Sequence, residues 1–433
     1  MRNLLTLILF TLAAITPAAA ATRTLTLDQA LAVAMESNRD IEKAREYATY
    51  VQGKYVEERS AALPQISLNG AYAVSKDESQ KFYGMTLQRQ TGSTIDLTLT
   101  QPLYTWGKVN AAIRAARVGL KTAGEQLRLY QHSARREVAT AWYDILLARE
   151  LNRVARENLS QKQRLLDEAR KKFAAGVATD YDVLAAEVAA ENARPDVIRT
   201  ENLVRVTCER LRFLLALPDE VTAEGSLDHD AGFRTIPDDY DGALAVAEKK
   251  RPELADLRLR IGIYEELVTI AAAGDKPRLE LKGGAGWHWL ALDDPGPRSE
   301  SNGVAWNVGL YLTFPFFDGL KSSGQVTQAG SDLRSKRIEE LKLLDAIALE
   351  VRDAVNALRE ADEICKAISG TVRQAEKLLQ MAEKGFEYGV KIRLEVDDAQ
   401  LNLLQANISL ARAQRDYRVA RINYEWAMGT LGE

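Results

Sequence analysis

The chain of 433 residues contains only 2 cysteines, 11 prolines and 27 glycines. Cys208 and Cys365 have no motif spacing, which excludes a cysteine metal cluster and a dense disulfide framework. We expect both to be small buried hydrophobic residues, the usual state of a free cysteine. Because proline interrupts helices and central strands, its scarcity favours long regular elements.

The chain also lacks an excess of either charge, since 57 Lys and Arg stand against 61 Asp and Glu, giving a net charge of −4. With 46% hydrophobic residues, this balance excludes a disordered chain and a basic nucleic-acid-binding protein. The histidines are scattered without metal spacing at 132, 229 and 288, and each is expected to be structural or on the surface.

Catalytic motifs are missing as well. No nucleophile elbow and no HExxH motif occur. The run from Gly283 to Gly286 lies in an alternating segment with no following Lys-Ser/Thr, so it indicates small strand residues and not a phosphate loop. We therefore expect no enzyme, no cofactor and no metal site.

Residues 1–21 have the pattern of a secretory signal peptide. Arg2 precedes a short apolar run from Leu4 to Ile15, and Ala18 and Ala20 form an A-x-A cleavage site. The mature chain is expected to begin near Ala21 or Thr22, without a lipoprotein cysteine. Beyond residue 21 no stretch of 18 apolar residues occurs, which predicts no transmembrane helix.

The sequence contains an internal duplication. The segment Ala30–Ala34 recurs as Ala243–Ala247, a shift of 243 − 30 = 213 positions. The same shift carries Pro64 onto Pro277, Pro102 onto Pro315, Ala141 onto Ala354, Phe173 onto Phe386, Gly176 onto Gly389 and Val183 onto Val396. We predict two repeats, residues 22–218 and 237–433, joined by a linker at 219–236 with the composition of a surface loop.

Each repeat is predicted to open with a helix, from Leu27 to Ala61 and from Asp241 to Ala272, because apolar residues recur at helical spacing. The period then changes to two. The alternating segments predict four strands, at about 64–75, 93–104, 277–290 and 303–314. Polar loops join these strands into two hairpins.

The alternation of the strands fits two kinds of sheet. Strands of about 10 residues can cross a bilayer when tilted, and a soluble sheet with one exposed face alternates in the same way. The aromatic residues favour the membrane, since they fall on the apolar faces or near strand ends, as an aromatic girdle would. They are Tyr72, Tyr104, Trp287, Trp289, Trp306 and Phe314.

A long helical stretch without proline follows each hairpin, from Trp106 to Phe173 and from Asp318 to Phe386. A turn containing Gly176 or Gly389 then reverses the chain. Return helices are predicted from Asp182 to Leu217 and from Glu395 to Met428, with antiparallel coiled-coil packing.

Four membrane strands cannot close a barrel, because an open sheet edge in lipid leaves backbone groups without partners. Two copies would give eight strands and a barrel filled by side chains, and three would give twelve strands and a possible lumen. The charged polar faces, with Asp96, Arg278, Glu280 and Lys282, favour a wet lumen and therefore three copies.

Short motifs add a resemblance to a known family. Pro102-Leu103-Tyr104 before Gly107, the segment Pro315–Gly319, and the turn from Gly389 to Ala399 occur in order within the duplication. With the signal peptide and the two hairpins, they resemble the TolC-type outer-membrane efflux factors over nearly all of the mature chain.

The resemblance implies a mainly α fold with membrane β-strands, in which a homotrimer forms a 12-stranded β-barrel continued by an α-helical barrel across the periplasm. It implies an exit duct of a tripartite efflux or type I secretion system, embedded in outer-membrane lipid and served by an inner-membrane transporter and a periplasmic adaptor. The residues alone leave open a soluble periplasmic coiled-coil scaffold or adaptor.

The resemblance also implies acidic residues at the periplasmic entrance, which fall here on Glu395 and Asp398. Three copies of each would form rings that attract cations and repel anions. The alternative is that both residues belong to a solvated helix face or stabilise the start of a helix.

Closing contacts near the turns fall, by the same resemblance, on Tyr181, Asp182, Phe386 and Lys391. Phe386 lacks the hydroxyl that a tyrosine would supply at this position. Lys391 offers a point charge where arginine would offer a bidentate fork. We therefore expect the entrance to be held differently or more loosely here.

Overall fold

The computed structural model describes residues 23–76, 81–82, 85–86, 89–227, 239–293 and 299–432. The predicted signal peptide, His229 and part of the predicted linker lie outside the described residues. The fold is mainly α-helical, and each repeat contributes one hairpin of long strands and one hairpin of long helices.

The elements of the first repeat are β1 (Arg23–Leu25), α1 (Leu27–Ser37), α2 (Arg39–Ser60), β2 (Gln65–Ser75), β3 (Lys81–Phe82), β4 (Met85–Thr86), β5 (Arg89–Tyr104), α3 (Lys108–Ala174) and α4 (Asp180–Leu215), and the linker after it contains β6 (Val221–Ala223). The second repeat contains α5 (Tyr240–Lys250), α6 (Pro252–Ala272), β7 (Arg278–Asp293), β8 (Ser299–Thr313), α7 (Lys321–Glu387) and α8 (Arg393–Ala427).

The opening helix of each repeat is broken, and the prediction of one uninterrupted helix was wrong in both. The breaks lie at Asn38 and Arg251, which are equivalent under the shift of 213. The buried Asn38 amide donates to the carbonyl of Leu214 (2.8 Å), and its side-chain oxygen accepts from the N–H of Asp40 (2.9 Å). At the second break Pro252 occupies the first helical position, where a missing N–H costs nothing.

The chain forms two compact units, of which the first comprises Met1–Ile41, Gln131–Tyr240 and Val351–Glu433. Its main core lies among β1, α1, α3, α4 and β6 and includes Leu25, Ala34, Val138, Trp142, Leu211 and Leu215. The Trp142 indole donates to the carbonyl of Leu25 (3.0 Å). Cys365 is buried as predicted, whereas Cys208 is half-buried at the edge of this core.

Strand β6 corrects the expectation that the linker is a surface loop. Its three residues are buried and pair in parallel with β1, with Val221 beside Arg23. Gly225 follows β6 in sequence and lies so close to Trp142 that an added Cβ would be 2.6 Å from the indole ring. The start of the linker is therefore part of the core of the first unit.

The helices of each long hairpin run antiparallel, as predicted. On α3 and α4, Asn152 donates to Thr200 (3.0 Å), and farther along the hairpin Arg170 pairs with Glu187 (3.6 Å). Between α7 and α8 the buried contacts are mostly small, among them Ala375, Ala382, Val396, Ala399 and Ala406. Within the described residues, no helix is both long enough and apolar enough for a membrane span.

The second unit, Glu42–Tyr130 and Asp241–Glu350, contains the four-stranded antiparallel sheet. The strand order is β2-β5-β7-β8, so the hairpins of the two repeats join through β5 and β7. The register confirms the predicted faces. Ile95, Trp287 and Val304 lie side by side on the apolar face, and Asp96 and Gly286 lie side by side on the polar face.

The glycine run of β7 leaves room for polar side chains of neighbouring strands. An added Cβ on Gly286 would lie 2.0 Å from Oδ1 of Asp96, and the same oxygen lies 2.8 Å from Nε2 of His288. Sequence spacing assigned no acidic partner to His288, because Asp96 lies 192 residues away and only the pairing of the hairpins brings them together. The interpretation of this run as small strand residues is confirmed.

Candidate functional site

The turns that end the two helical hairpins have the same backbone. Gly176 and Gly389 adopt φ angles of +74° and +73°. The N–H of each donates to a carbonyl three residues earlier, that of Phe173 (2.9 Å) or Phe386 (3.0 Å). A left-handed glycine after the last helical turn is the usual way to end a helix and satisfy its free carbonyls. Both predicted turn glycines therefore set the geometry around the candidate entrance residues.

In the first turn, helix α4 is capped by a reciprocal pair. The N–H of Asp182 donates to the Thr179 hydroxyl (3.3 Å), and the Asp182 carboxylate accepts from the Thr179 N–H (2.8 Å) and hydroxyl (2.7 Å). These hydrogen bonds lower the pKa of Asp182, and the bond from the Thr179 hydroxyl contributes most. Asp182, a predicted gate residue, is thus engaged within its own helix end.

In the second turn, helix α8 begins without a polar cap residue, because Ile392 occupies the position equivalent to Thr179. The Glu395 carboxylate accepts from the Ile392 N–H (3.0 Å) and forms an ion pair with Lys391. The Lys391 hydrogen bond, followed by that of the Ile392 N–H, lowers the pKa of Glu395. One predicted entrance residue and one predicted gate residue are therefore paired with each other.

Asp398, the other predicted entrance residue, is exposed one turn farther along α8. Among the residues that the structure describes, none bonds to its carboxylate. Tyr181 is 79% exposed on the first turn. Glu395 and Asp398 thus lie one turn apart on the helix, as predicted, but only Asp398 presents a carboxylate without a cation beside it.

An open cleft of about 370 Å³ lies between the two hairpins within the first unit. Asp182 and Phe386 both line it, together with Lys162, Arg393 and Asp397. Asp397 forms ion pairs with both cations, at 3.7 Å from Lys162 and 3.5 Å from Arg393. The Arg393 guanidinium lies 5.9 Å from the ring centre of Phe386.

The ion pair between Lys162 and Asp397 joins the two hairpins at this cleft, and the closing role of the four residues named for it stays a prediction. Within the described chain, Tyr181, Asp182, Phe386 and Lys391 make no bond with one another. Sequence reasoning missed Asp397 although its spacing of four from Arg393 was a signal for a helix ion pair. Its second partner, Lys162, is too distant in sequence to be found from spacing.

The comparison with known families decides which protein family this is. The profile of the family described as "Outer membrane efflux protein" matches residues 30–217 and 243–430. The two segments start 213 residues apart and end 213 residues apart, which confirms the duplication. The chain belongs to the outer membrane efflux protein family.

Relatives of this efflux protein are similar along most of their length. The outer membrane protein TolC of Vibrio cholerae is 23% identical over 87% of this chain and 84% of its own. TolC of Escherichia coli is 24% identical over 92% of this chain and 80% of its own. The outer membrane efflux protein BepC of Brucella suis is 24% identical over 91% of this chain and 83% of its own.

Solved structures show the same fold. The CmeC outer membrane channel of Campylobacter jejuni superposes with a TM-score of 0.80 at 16% identity, covering 93% of this chain and 85% of CmeC. The open state of the MtrE outer membrane channel of Neisseria gonorrhoeae superposes with a TM-score of 0.77 at 18% identity, covering 93% and 88%.

These findings confirm the predicted family, the mainly α fold with a duplicated repeat, and the outer-membrane location. The chain is an outer-membrane efflux protein that serves as an exit duct. CmeC and MtrE are described as outer membrane channels, which agrees with a role other than catalysis. The alternative of a soluble periplasmic scaffold is set aside.

Proposed function

We propose that three copies of the chain pool their sheets into a twelve-stranded barrel, continued by their long helices into a periplasmic duct. Cargo reaches this duct from an inner-membrane transporter through a periplasmic adaptor. The acidic side chains after the second turn select cations where the cargo enters.

The observation that carries this proposal is the sheet of four strands. Among the described residues, β2 and β8 each have one edge without a partner strand. The apolar face is exposed, with Trp306 at 76% and Leu68 at 71%. In lipid such a face is stable, whereas the open edges are not, so the edges require strands from further copies.

The polar face supports three copies. Lys282 pairs with Glu280 (3.0 Å), and His288 contacts Asp96 (2.8 Å), and all four side chains are partly exposed to solvent. Eight strands would leave an interior just filled by side chains, while twelve leave space for water around these charges. Three copies of four strands satisfy this requirement.

The native mass of the purified protein in detergent tests the assembly. A species of three protomers is expected from the outer-membrane fraction. A stable monomer or dimer in the same detergent would refute the twelve-stranded barrel.

Ion selectivity in planar bilayers tests the entrance. Since Glu395 is paired with Lys391 and Asp398 has no cation beside it, Asp398→Asn is expected to lower the cation-to-anion permeability ratio more than Glu395→Gln does. Glu376→Gln is the matched control, because Glu376 is exposed on the same hairpin but lies about three helical turns before the end of α7. An unchanged ratio in the Glu395→Gln and Asp398→Asn double variant would remove both residues from this role.

The tips of the hairpins support docking of an adaptor. Apolar side chains at both turns are strongly exposed, with Val177 at 75% and Tyr181, Tyr388 and Val390 at 79% each. A photo-crosslinking residue in place of Tyr388 is expected to capture the adaptor in cells. The same substitution at Tyr47, an exposed tyrosine remote from the turns in sequence, is the control.

A further inference from the structure

The junctions between strand and long helix share an unusual backbone. Trp106 and Gly107, before α3, have φ angles of +50° and +83°, and Gly319 and Leu320, before α7, both have +68°. The two pairs are equivalent under the shift of 213. Each repeat therefore enters its long helix through two consecutive left-handed residues, of which only one is a glycine.

The residue of each pair that is not glycine is large, apolar and strained. A left-handed conformation costs a residue with a Cβ free energy that glycine does not lose. Burial in a core does not compensate this cost, because Trp106 is 47% exposed and Leu320 is 72% exposed. A glycine at either position would fit the backbone better, so the backbone alone does not explain these side chains.

Further apolar side chains surround the junctions. Tyr104 packs edge-on against Trp106 at 5.3 Å between ring centres, and Phe314 packs against Phe316 at 6.2 Å. Phe316 and its neighbour Phe317 are 87% and 79% exposed. This aromatic surface continues the exposed apolar face of the sheet at the ends of β5 and β8.

Both junctions lie at the same end of the sheet. Tyr104 at the end of β5 pairs with Leu279 of β7, and Arg278 of β7 pairs with Thr313 at the end of β8. Only β7 separates the two junctions, a distance of about 10 Å at the usual strand spacing. Since we propose that the long helices continue into the periplasm, this end of the sheet faces the periplasm.

Each long helix begins with an exposed lysine, Lys108 in α3 and Lys321 in α7, again at equivalent positions. A positive charge at a helix N-terminus is disfavoured by the helix dipole, and neither first turn contains an acidic residue. The caps are supplied separately, since Thr105 accepts from the N–H of Val109 (3.3 Å) and Asp318 from that of Ser322 (2.8 Å). The lysines therefore have no role in stabilising the helix ends.

We propose that the two junctions form a collar that docks on the periplasm-facing leaflet of the outer membrane and binds anionic phospholipid. Trp106, Leu320 and the neighbouring aromatic rings enter the boundary between headgroups and acyl chains. Lys108 and Lys321 contact the headgroup phosphates. Continuity with the apolar face and the two positive charges carry this assignment, which rests on the outer-membrane location of the chain and on the proposed periplasmic course of its long helices, but not on its transporter, adaptor or ion selectivity.

Native mass spectrometry of the full-length protein in detergent tests the headgroup contact. Phosphatidylglycerol and phosphatidylethanolamine with identical acyl chains are the probes, with lipid A as a third. Wild type is expected to prefer phosphatidylglycerol. The Lys108→Gln and Lys321→Gln double variant should lose that preference, by about fivefold in affinity for each lysine removed, the equivalent of about 1 kcal/mol.

The matched control is the Lys121→Gln and Lys342→Gln double variant, which removes two exposed lysines from positions farther along the same helices. It should bind like wild type. Equal loss in the control, no preference in wild type, or a preference for lipid A would overturn the proposal. Normal channel conductance in the Lys108/Lys321 variant would show that the duct is intact, so the two proposals can fail separately.

A second variant tests the apolar contact without risk to the fold. Trp106→Gly and Leu320→Gly together place glycine at all four left-handed positions and remove only the side chains. Thermal stability in detergent is expected to be unchanged or higher, while stability in phosphatidylglycerol-containing bilayers falls below that of wild type. Equal or higher stability of the variant in both environments would show that the side chains do not enter the membrane.

Discussion

The two hairpin turns have the same backbone but different chemistry. Gly176 and Gly389 differ by one degree in φ, and equivalent hydrogen bonds end the preceding helices. Yet the start of α4 is capped by a hydroxyl, and the start of α8 relies on the Lys391–Glu395 ion pair. After the duplication, the path of the chain was kept while the side chains that hold it diverged.

Gly385 makes room for the ion pair between Lys391 and Glu395 in the second turn. Gly385 lies under the side chain of Lys391, where an added Cβ would come within 2.5 Å of its Cγ. The equivalent residue of the first turn is Lys172, and the equivalent of Lys391 is Ala178. The bulky residue and the small one have thus exchanged places between the turns.

We expect the largest loss of local stability from substitution of the two turn glycines, at which the turns are alike. Gly176→Ala and Gly389→Ala each place a Cβ in the left-handed region at a cost of about 1–2 kcal/mol. No atom of the described residues lies within 4 Å of the position that either new methyl group would occupy, so the cost is confined to the backbone and should be equal in both turns. Hydrogen exchange in each turn should accelerate by about 5–30-fold.

Gly176→Asn and Gly389→Asn are the controls for this prediction, since asparagine tolerates the left-handed region better than alanine. Their exchange should accelerate less. A clear difference between the two alanine variants would show that the two backbones are not equivalent in solution.

Local patterns were enough to predict most of the fold. The period of two in the strands and the proline-free helices are properties of neighbouring residues, and the repeat shift follows from comparing two segments of the sequence. The break at Asn38 was missed because the apolar period continues across it, and its amide bonds to Leu214, 176 positions away. Strand β6 was missed because its three residues are held by β1, at the opposite end of the first repeat.

The candidate site was predictable only in part, for the same reason. The turn glycines follow from composition, and the Lys391–Glu395 pair has the spacing of a helix ion pair. The contact between Lys162 and Asp397 joins different hairpins and depends on how they pack. Resemblance supplied the positions of the gate residues but not their partners in this chain.

Substitutions at the helix caps should have a smaller effect on local stability, and this effect should be opposite in the two turns. Thr179→Ala removes the hydroxyl cap of α4 and is expected to cost about 1 kcal/mol, whereas Ile392→Thr supplies the missing cap of α8 and should gain a similar amount. Hydrogen exchange should therefore become about fivefold faster in the first turn and slower in the second. Thr179→Ser and Ile392→Val are the controls, since one keeps the hydroxyl and the other adds none.

The smallest expected effect is the dependence of the stability of the two turns on pH. Both carboxylates have a lowered pKa, Asp182 below its ordinary 3.8 and Glu395 below its ordinary 4.5. A lowered pKa in the folded state means that the ionised caps stabilise the turns fully above these ordinary values. That stabilisation is lost as the pH falls through the lowered values.

Salt should distinguish the two carboxylates, because neutral donors lower the pKa of Asp182 and the charged Lys391 is the largest cause for Glu395. At about 1 M salt the screening length falls to about 3 Å, so the pKa of Glu395 should rise towards 4.5 while that of Asp182 stays in place.

Carboxyl carbon-13 NMR titration of the purified protein measures both pKa values, with Asp182→Asn and Glu395→Gln variants to assign the signals. Lys391→Met should reproduce the salt effect on Glu395 alone. Equal movement of both carboxylates would mean that the ion pair does not persist in solution, and the two turns would then share one capping chemistry.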